Sequence, residues 1–123
     1  MKTYLSQRWQ SVIWAWQGLH VLVAQEPNAR IHAAATVAVI CIGWWLDLGR
    51  LDWALLTVAI ALVWITEAIN TAIESVVDLC SPEIHPLAKR AKDVAAGAVL
   101  LASLFAVILG AMVLVPAIDR LFT

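Results

Sequence analysis

Three long apolar runs, separated by short polar stretches, restrict what this chain can fold into more than any other feature. Residues 29–48 (with AAATVAVICIGWWL at their centre), 53–79 and 93–118 each meet the ~20 residues that a helix needs to cross a bilayer. In hydrocarbon every backbone N–H and C=O must find a partner within its own segment, so such runs fold as α-helices. Composition agrees. Of the 123 residues, 63% are hydrophobic and the mean hydropathy is +0.85, against about 45–50% apolar content in soluble domains. A single all-α membrane domain over residues 1–123 is the expectation. The net charge of −1 argues against nucleic acid as a partner. Cys41 and Cys80 have neither metal-ligand spacing nor a pairing pattern.

Residues 3–25 carry a different signal. Leu5, Trp9, Val12, Trp16, Leu19 and Val23 recur at spacings of three and four, with Thr3, Gln7, Gln10, Gln17 and His20 opposite. This pattern predicts an amphipathic helix lying in the membrane interface, with Trp9, Trp14 and Trp16 at headgroup depth. The alternative is a helix packed on the rest of the chain. The start lacks signal-peptide organisation: Lys2 and Arg8 lead into mixed polar and apolar residues, and no small-x-small cleavage site follows. Pro27 suits the first turn of a new helix. Residues 47–52 read as a tight polar turn, and residues 80–92 as a polar loop with two prolines. Lys2, Arg8 and Arg30 precede the first span, and Lys89, Arg90 and Lys92 lie between the second and third. The positive-inside rule therefore puts the N-terminus and the 80–92 loop in the cytoplasm and the C-terminus outside. Trp44, Trp45 and Trp53 then form a belt at the outer interface, while Trp64 lies deep.

The second span holds an anomaly. Glu67, Asn70, Glu74 and Asp78 follow one another at three, four and four residues and fall within roughly 80° of one helix face. Carboxylates in an apolar helix are costly and are functional by default. Glu67 is ~21 Å along the helix from its outer end at 1.5 Å per residue, in the cytoplasmic half of the core. Glu74 and Asp78 reach the interface, so the stripe opens toward the cytoplasm. There it meets the basic stretch His85-Pro86-Leu87-Ala88-Lys89-Arg90-Ala91-Lys92-Asp93.

Carboxylates able to hold Mg²⁺, with lysine or arginine close by, are what phosphoryl transfer needs. Mg²⁺ takes one or two carboxylates and lets phosphate oxygens complete its shell, and a further carboxylate in low dielectric can act as general base. The five glycines form neither a Walker A loop nor a kinase glycine-rich loop. A chain that handles ATP this way must do so by another construction.

Glu67-x-x-Asn70-x-x-x-Glu74-x-x-x-Asp78 and Ala88-Lys89-Arg90-Ala91-Lys92-Asp93, together with Trp14-Ala15-Trp16-Gln17-Gly18 and Glu26-x-x-x-Arg30, resemble the prokaryotic diacylglycerol kinase and undecaprenol kinase family. The resemblance spans nearly the whole chain. It implies a homotrimeric helical bundle in the bacterial inner membrane, with an interfacial helix, three transmembrane helices and active sites shared between subunits. Such an enzyme transfers the γ-phosphate of Mg-ATP to the hydroxyl of a membrane lipid alcohol, diacylglycerol or undecaprenol. It further implies Glu67 as general base, Glu26 and Glu74 as metal ligands, and Asn70 positioning substrate or base. Glu83, His85, Lys92 and Asp93 would contact the nucleotide, with Trp14 on the same side and Gln7 or Arg8 aligning with a nucleotide-binding arginine. Residues 28–32, Asn28 and Arg30 among them, and Trp53 would lie along the lipid path.

Plainer readings stand beside these. Asp78 could be a solvated helix end, Lys89 and Arg90 could serve topology alone, and His20 and His32 read as structural histidines. Ala98, Ala102, Ala106 and Gly110 make a small-residue stripe suited to close helix packing or simply an alanine-rich helix. In function, the alternatives are a proton- or cation-coupled transporter that titrates Glu67, and a non-catalytic assembly subunit. Neither explains why Glu74, Asp78 and residues 89–93 gather at one interface.

Overall fold

The computed structural model describes residues 4–123. Lys2 and Thr3, which entered the topology and the N-terminal amphipathic pattern, lie outside the described residues. Four helices follow in order: α1 Tyr4–Gln25, α2 Pro27–Trp45, α3 Arg50–Cys80 and α4 Pro86–Asp119. The all-helical expectation is met, and no strand occurs among the described residues.

Two boundaries differ from the sequence reading. The polar stretch 80–92 is not one loop, because α4 already begins at Pro86. Proline's missing N–H costs nothing at the first helical position, and His85 caps the helix, its Nδ1 accepting from Leu87 N–H at 3.1 Å. Lys89, Lys92 and Asp93 are therefore helical. At the other end, α2 stops at Trp45 rather than 48. Asp47 adopts φ 50°, the left-handed conformation that aspartate tolerates better than most residues, and α3 starts at Arg50.

α3 and α4, with 31 and 34 residues, are long and apolar enough to cross a membrane. α2 has 19 residues and falls short of that measure. Asn28, Arg30 and His32 occupy its first turns, and its apolar part is cut off at the 46–49 turn. The length and apolarity expected of three spans thus hold for two.

α3 and α4 form an antiparallel hairpin with the main helix–helix contact; α2 packs on α3, and α1 on α2 and α3. Alanines at the hairpin seam, Ala59, Ala95, Ala102 and Ala117, are all buried, which lets the backbones approach closely. Leu48, Leu56, Val113 and Ala117 make a core cluster at the Arg50 end of the hairpin, with Trp53 and Leu46 against it. Trp53 also meets Trp44 edge to face at 6.5 Å. Outside this seam the helices are bare of cover: Leu100, Val107 and Met112 are 71%, 69% and 69% exposed. Apolar surface on that scale has no stable place in water. α1 buries only Leu22, leaving Trp9, Trp14 and Trp16 exposed. Arg30 turns back to donate to the Val23 carbonyl at 3.3 Å and to that of Ala24, satisfying acceptors that the end of α1 leaves open.

Gly43 is where α2 passes Trp53. A Cβ there would sit 2.8 Å from Trp53 Cη2 and 3.1 Å from Leu48 Cδ1. Gly43→Ala is expected to cost about 1–3 kcal/mol through overpacking, seen as a lower unfolding midpoint in detergent micelles. Gly110→Ala, whose Cβ would meet nothing within 4 Å, is the matched control and is expected to keep or raise that midpoint.

Candidate active site

The acidic face of α3 is graded in burial. Glu67 is 1% exposed and Asn70 7%, while Glu74 is half-buried and Asp78 exposed. The Asn70 Nδ2 donates to Glu74 Oε1 at 3.3 Å. Further along, Lys92 of α4 reaches across the hairpin and donates to both oxygens of Asp78, at 2.9 and 3.2 Å. Lys89 pairs with Asp93 one turn along α4. The stripe and the basic cluster, adjacent only in outline in the sequence, are brought together at one end of the hairpin by this Asp78–Lys92 tie.

A second element enters from α2. His32 Nε2 lies 3.5 Å from Glu67 Oε2. One turn on, Trp64 Nε1 donates to Thr36 Oγ1 at 3.0 Å, and that hydroxyl donates to the His32 carbonyl at 2.7 Å. His32 was read from the sequence as a structural histidine, and its approach to Glu67 was not foreseen. The available signal was the His32–Thr36 spacing of one helical turn, which matches a polar pair on α2 to Trp64 and Glu67 on α3. The match fixes relative heights. α3 runs on from Glu67 to Cys80, whereas α2 has only residues 27–31 before His32. α3 therefore outreaches the start of α2 by about 12 Å, leaving Glu74 and Asp78 beyond it.

Four buried polar atoms lack a partner among the described residues: His32 Nε2, Glu67 Oε2, Asn70 Oδ1 and Thr71 Oγ1. Unpartnered buried polar atoms are expensive, and their gathering on one stretch of α2 and α3 makes that stretch the candidate site. The donors Glu74 and Asn70 are hard oxygen ligands of the kind Mg²⁺ prefers. No group of three or more His, Cys, Asp or Glu side chains converges as a metal cluster among the described residues.

The other expected site residues are spread more widely. Glu26 is the N-cap residue of α2, half-buried, and makes no side-chain cap bond. Asn28 is exposed next to it, and Arg30 is engaged with the end of α1. Arg8 donates to Tyr4 Oη at 2.7 and 3.0 Å, and Trp14 is exposed. Glu83 is exposed in the 81–85 connection, where its carbonyl accepts from Ser81 Oγ. Trp53 stands at the opposite end of α3, ~21 Å from Glu67 along the axis. Between the two ends an almost wholly apolar groove of about 620 Å³ runs from His32 past Thr36 and Val63 to Gly110 and Leu114, lined by α2, α3 and α4. Ala106 and Gly110 of the small-residue stripe open into it, while Ala102 is buried at the seam.

Such a site, a buried carboxylate above hard oxygen donors and a lysine at the end of a membrane hairpin, defines the class as a membrane phosphotransferase. The family model of prokaryotic diacylglycerol kinase matches residues 13–114. Undecaprenol kinase of Bacillus subtilis is 37% identical over 91% of this chain and 91% of its own length. Diacylglycerol kinase of Synechocystis is 48% identical over 84% of this chain and 59% of its length, and that of Escherichia coli K12 is 39% identical over 77% and 78%. The chain belongs to the prokaryotic diacylglycerol kinase family, and the resemblance read from its motifs is borne out. The transporter reading gains no support from these relatives.

Because Asp78 and Lys92 are 65% and 36% exposed at their side chains, their pair adds little to stability. Asp78→Asn is expected to leave the midpoint of chemical denaturation, followed by circular dichroism, almost unchanged. A larger loss would mean that the pair supports the hairpin fold itself.

Proposed function

We propose that the protein is an ATP-dependent lipid kinase that transfers the γ-phosphate of Mg-ATP to the primary hydroxyl of a membrane lipid, diacylglycerol or undecaprenol. One observation carries the reading. Glu67 is the deepest acid of the stripe, 1% exposed, and stands one helical turn beyond Val63, which with His32 lines one end of the apolar groove. A lipid hydroxyl can reach that depth and nucleotide cannot, whereas Glu74 and Lys92 stand where cytoplasmic nucleotide arrives.

In this mechanism Glu67 accepts the hydroxyl proton as the lipid oxygen attacks phosphorus. Asn70, bonded to Glu74, holds the donor set between base and metal in place. Glu74, with Glu26, would hold Mg²⁺, which would supply charge neutralisation for the nucleotide phosphates. Lys92 offers its ammonium to the same phosphates, oriented by Asp78, and Asp93, Glu83, His85 and Trp14 border the nucleotide. Asn28 and Arg30 line the approach of the lipid headgroup at the α1–α2 corner, and Trp53 lies along the path of the tail.

Three further features belong to the same proposal. α2 crosses as a third span beside α3 and α4, α1 lies in the interface, and the N-terminus and the 81–85 connection face the cytoplasm with the C-terminus outside. The enzyme works as a homotrimer. Four thin helices leave the groove and the polar end uncovered, so a neighbouring copy completes the site.

Transfer of labelled phosphate from ATP to lipid in mixed micelles tests the reading, with diacylglycerol and undecaprenol assayed side by side to identify the acceptor. Glu67→Gln is expected to lower kcat by about a thousandfold, within the range for loss of a general base, in protein that still folds; full activity would refute the base assignment. Glu74→Ala is expected to shift the magnesium titration to higher concentration, and an unchanged titration would count against its role as ligand.

A further inference from the structure

The reaction so described leaves one close contact unused. His32 Nε2 and Glu67 Oε2 face each other at 3.5 Å, with side chains 17% and 2% exposed, and both atoms lack another partner. The separation is longer than a formed hydrogen bond, and a small rotation of either side chain closes it. Position 32 is an unfavourable place for an imidazole. Ile31 precedes it, Ala33, Ala34 and Ala35 follow it, and the groove it borders is almost wholly apolar. A polar ring there needs a bonding partner to offset its desolvation, and Glu67 is the group within reach.

The surroundings hold the ring in that place. Thr36 ties the His32 carbonyl to Trp64 of α3. Trp64 and Glu67 are three residues apart on α3, and Thr36 and His32 four apart on α2. The two helices are thus cross-linked by two polar rungs one turn apart. The upper rung, Trp64–Thr36, is a formed hydrogen bond that fixes α2 against α3; the lower rung, His32–Glu67, is set at a distance by it.

We propose that His32 is a positioning residue for Glu67: its Nε2–H donates to Glu67 Oε2 and holds the carboxylate with Oε1 presented to the lipid hydroxyl. The inference rests on Glu67 being the base. In the step it serves, the hydroxyl proton passes to Glu67 Oε1 and the lipid oxygen forms the new bond to the γ-phosphorus. The bond from that phosphorus to the oxygen bridging the β-phosphate breaks, and ADP leaves with the electron pair. His32 keeps its proton throughout; it restricts the orientation of the base.

Glutamine and methionine are close in size and shape, and only glutamine carries an N–H donor. His32→Gln and His32→Met therefore perturb packing alike and differ in the bond proposed. In the mixed-micelle assay, His32→Met is expected to have a kcat about tenfold or more below that of His32→Gln, the range for a hydrogen bond to a charged group. The KM values for ATP and lipid are expected to agree between the two. Equal kcat in the two variants overturns the proposal, as does a difference confined to KM. Glu67→Gln, measured alongside, separates this outcome from the broader one: if it stays active the base assignment fails, and if it is inactive while the two His32 variants match, only the role of His32 fails.

Discussion

Close antiparallel packing of α3 against α4 is the constraint on which the rest of the molecule depends. It is made with alanine rather than with large side chains, because two helices in an apolar solvent gain nothing from merely hiding leucine and must instead approach closely enough for dispersion to count. The pairing in which Asp78 meets Lys92 and Leu56 shares a cluster with Val113 puts Ala102 level with Glu67. A small residue thus stands at the height where α3 carries its buried carboxylate. With a larger one at that height, the acid and α4 would compete for the same space.

From that arrangement the functional gradient follows. Burial falls along the α3 face from Glu67 through Asn70 and Glu74 to Asp78, so the local dielectric rises by degrees in about three turns. Chemistry that needs a dry base and chemistry that needs a solvated polyphosphate can then share one helix. α2 contributes at the deep end alone, since it begins well short of the level that α3 reaches. The late start of α2 and the length of α3 together leave Glu67 covered and the Asp78 end open.

Much of this was legible from residue order. Apolar runs gave the helices within a few residues, because a backbone in hydrocarbon has no alternative to the helix. The stripe was legible because charge in an apolar run has few explanations. The 80–92 stretch misled because polarity was weighed above Pro86, whose position ahead of Leu87 and Ala88 is a helix start signal. The His32–Glu67 approach and the Trp64–Thr36 bond were hidden because they depend on how α2 slides along α3, and no periodicity within one helix records that. The end of α2 was hidden for a local reason: Gly43 to Leu48 read as apolar up to the Asp47 turn, whereas the helix stops at Trp45.

The tie between Asp78 and Lys92 has one more consequence. Alanines or glycine recur every four residues along α4 at 98, 102, 106 and 110, so sliding α4 by one turn would place Ala98 or Ala106 level with Glu67 in place of Ala102. Leu109 could then stand in for Val113 at the level of Leu56. The apolar seam is close to degenerate under that slip and cannot by itself choose among settings. The charges can, because a one-turn slip in either direction puts Ala88 or Ala96 at the level of Asp78 and leaves it without its lysine. A pair too exposed to add much stability thus acts as an index mark, selecting the one alignment of a repetitive screw in which Glu67, Glu74 and Lys92 share a line.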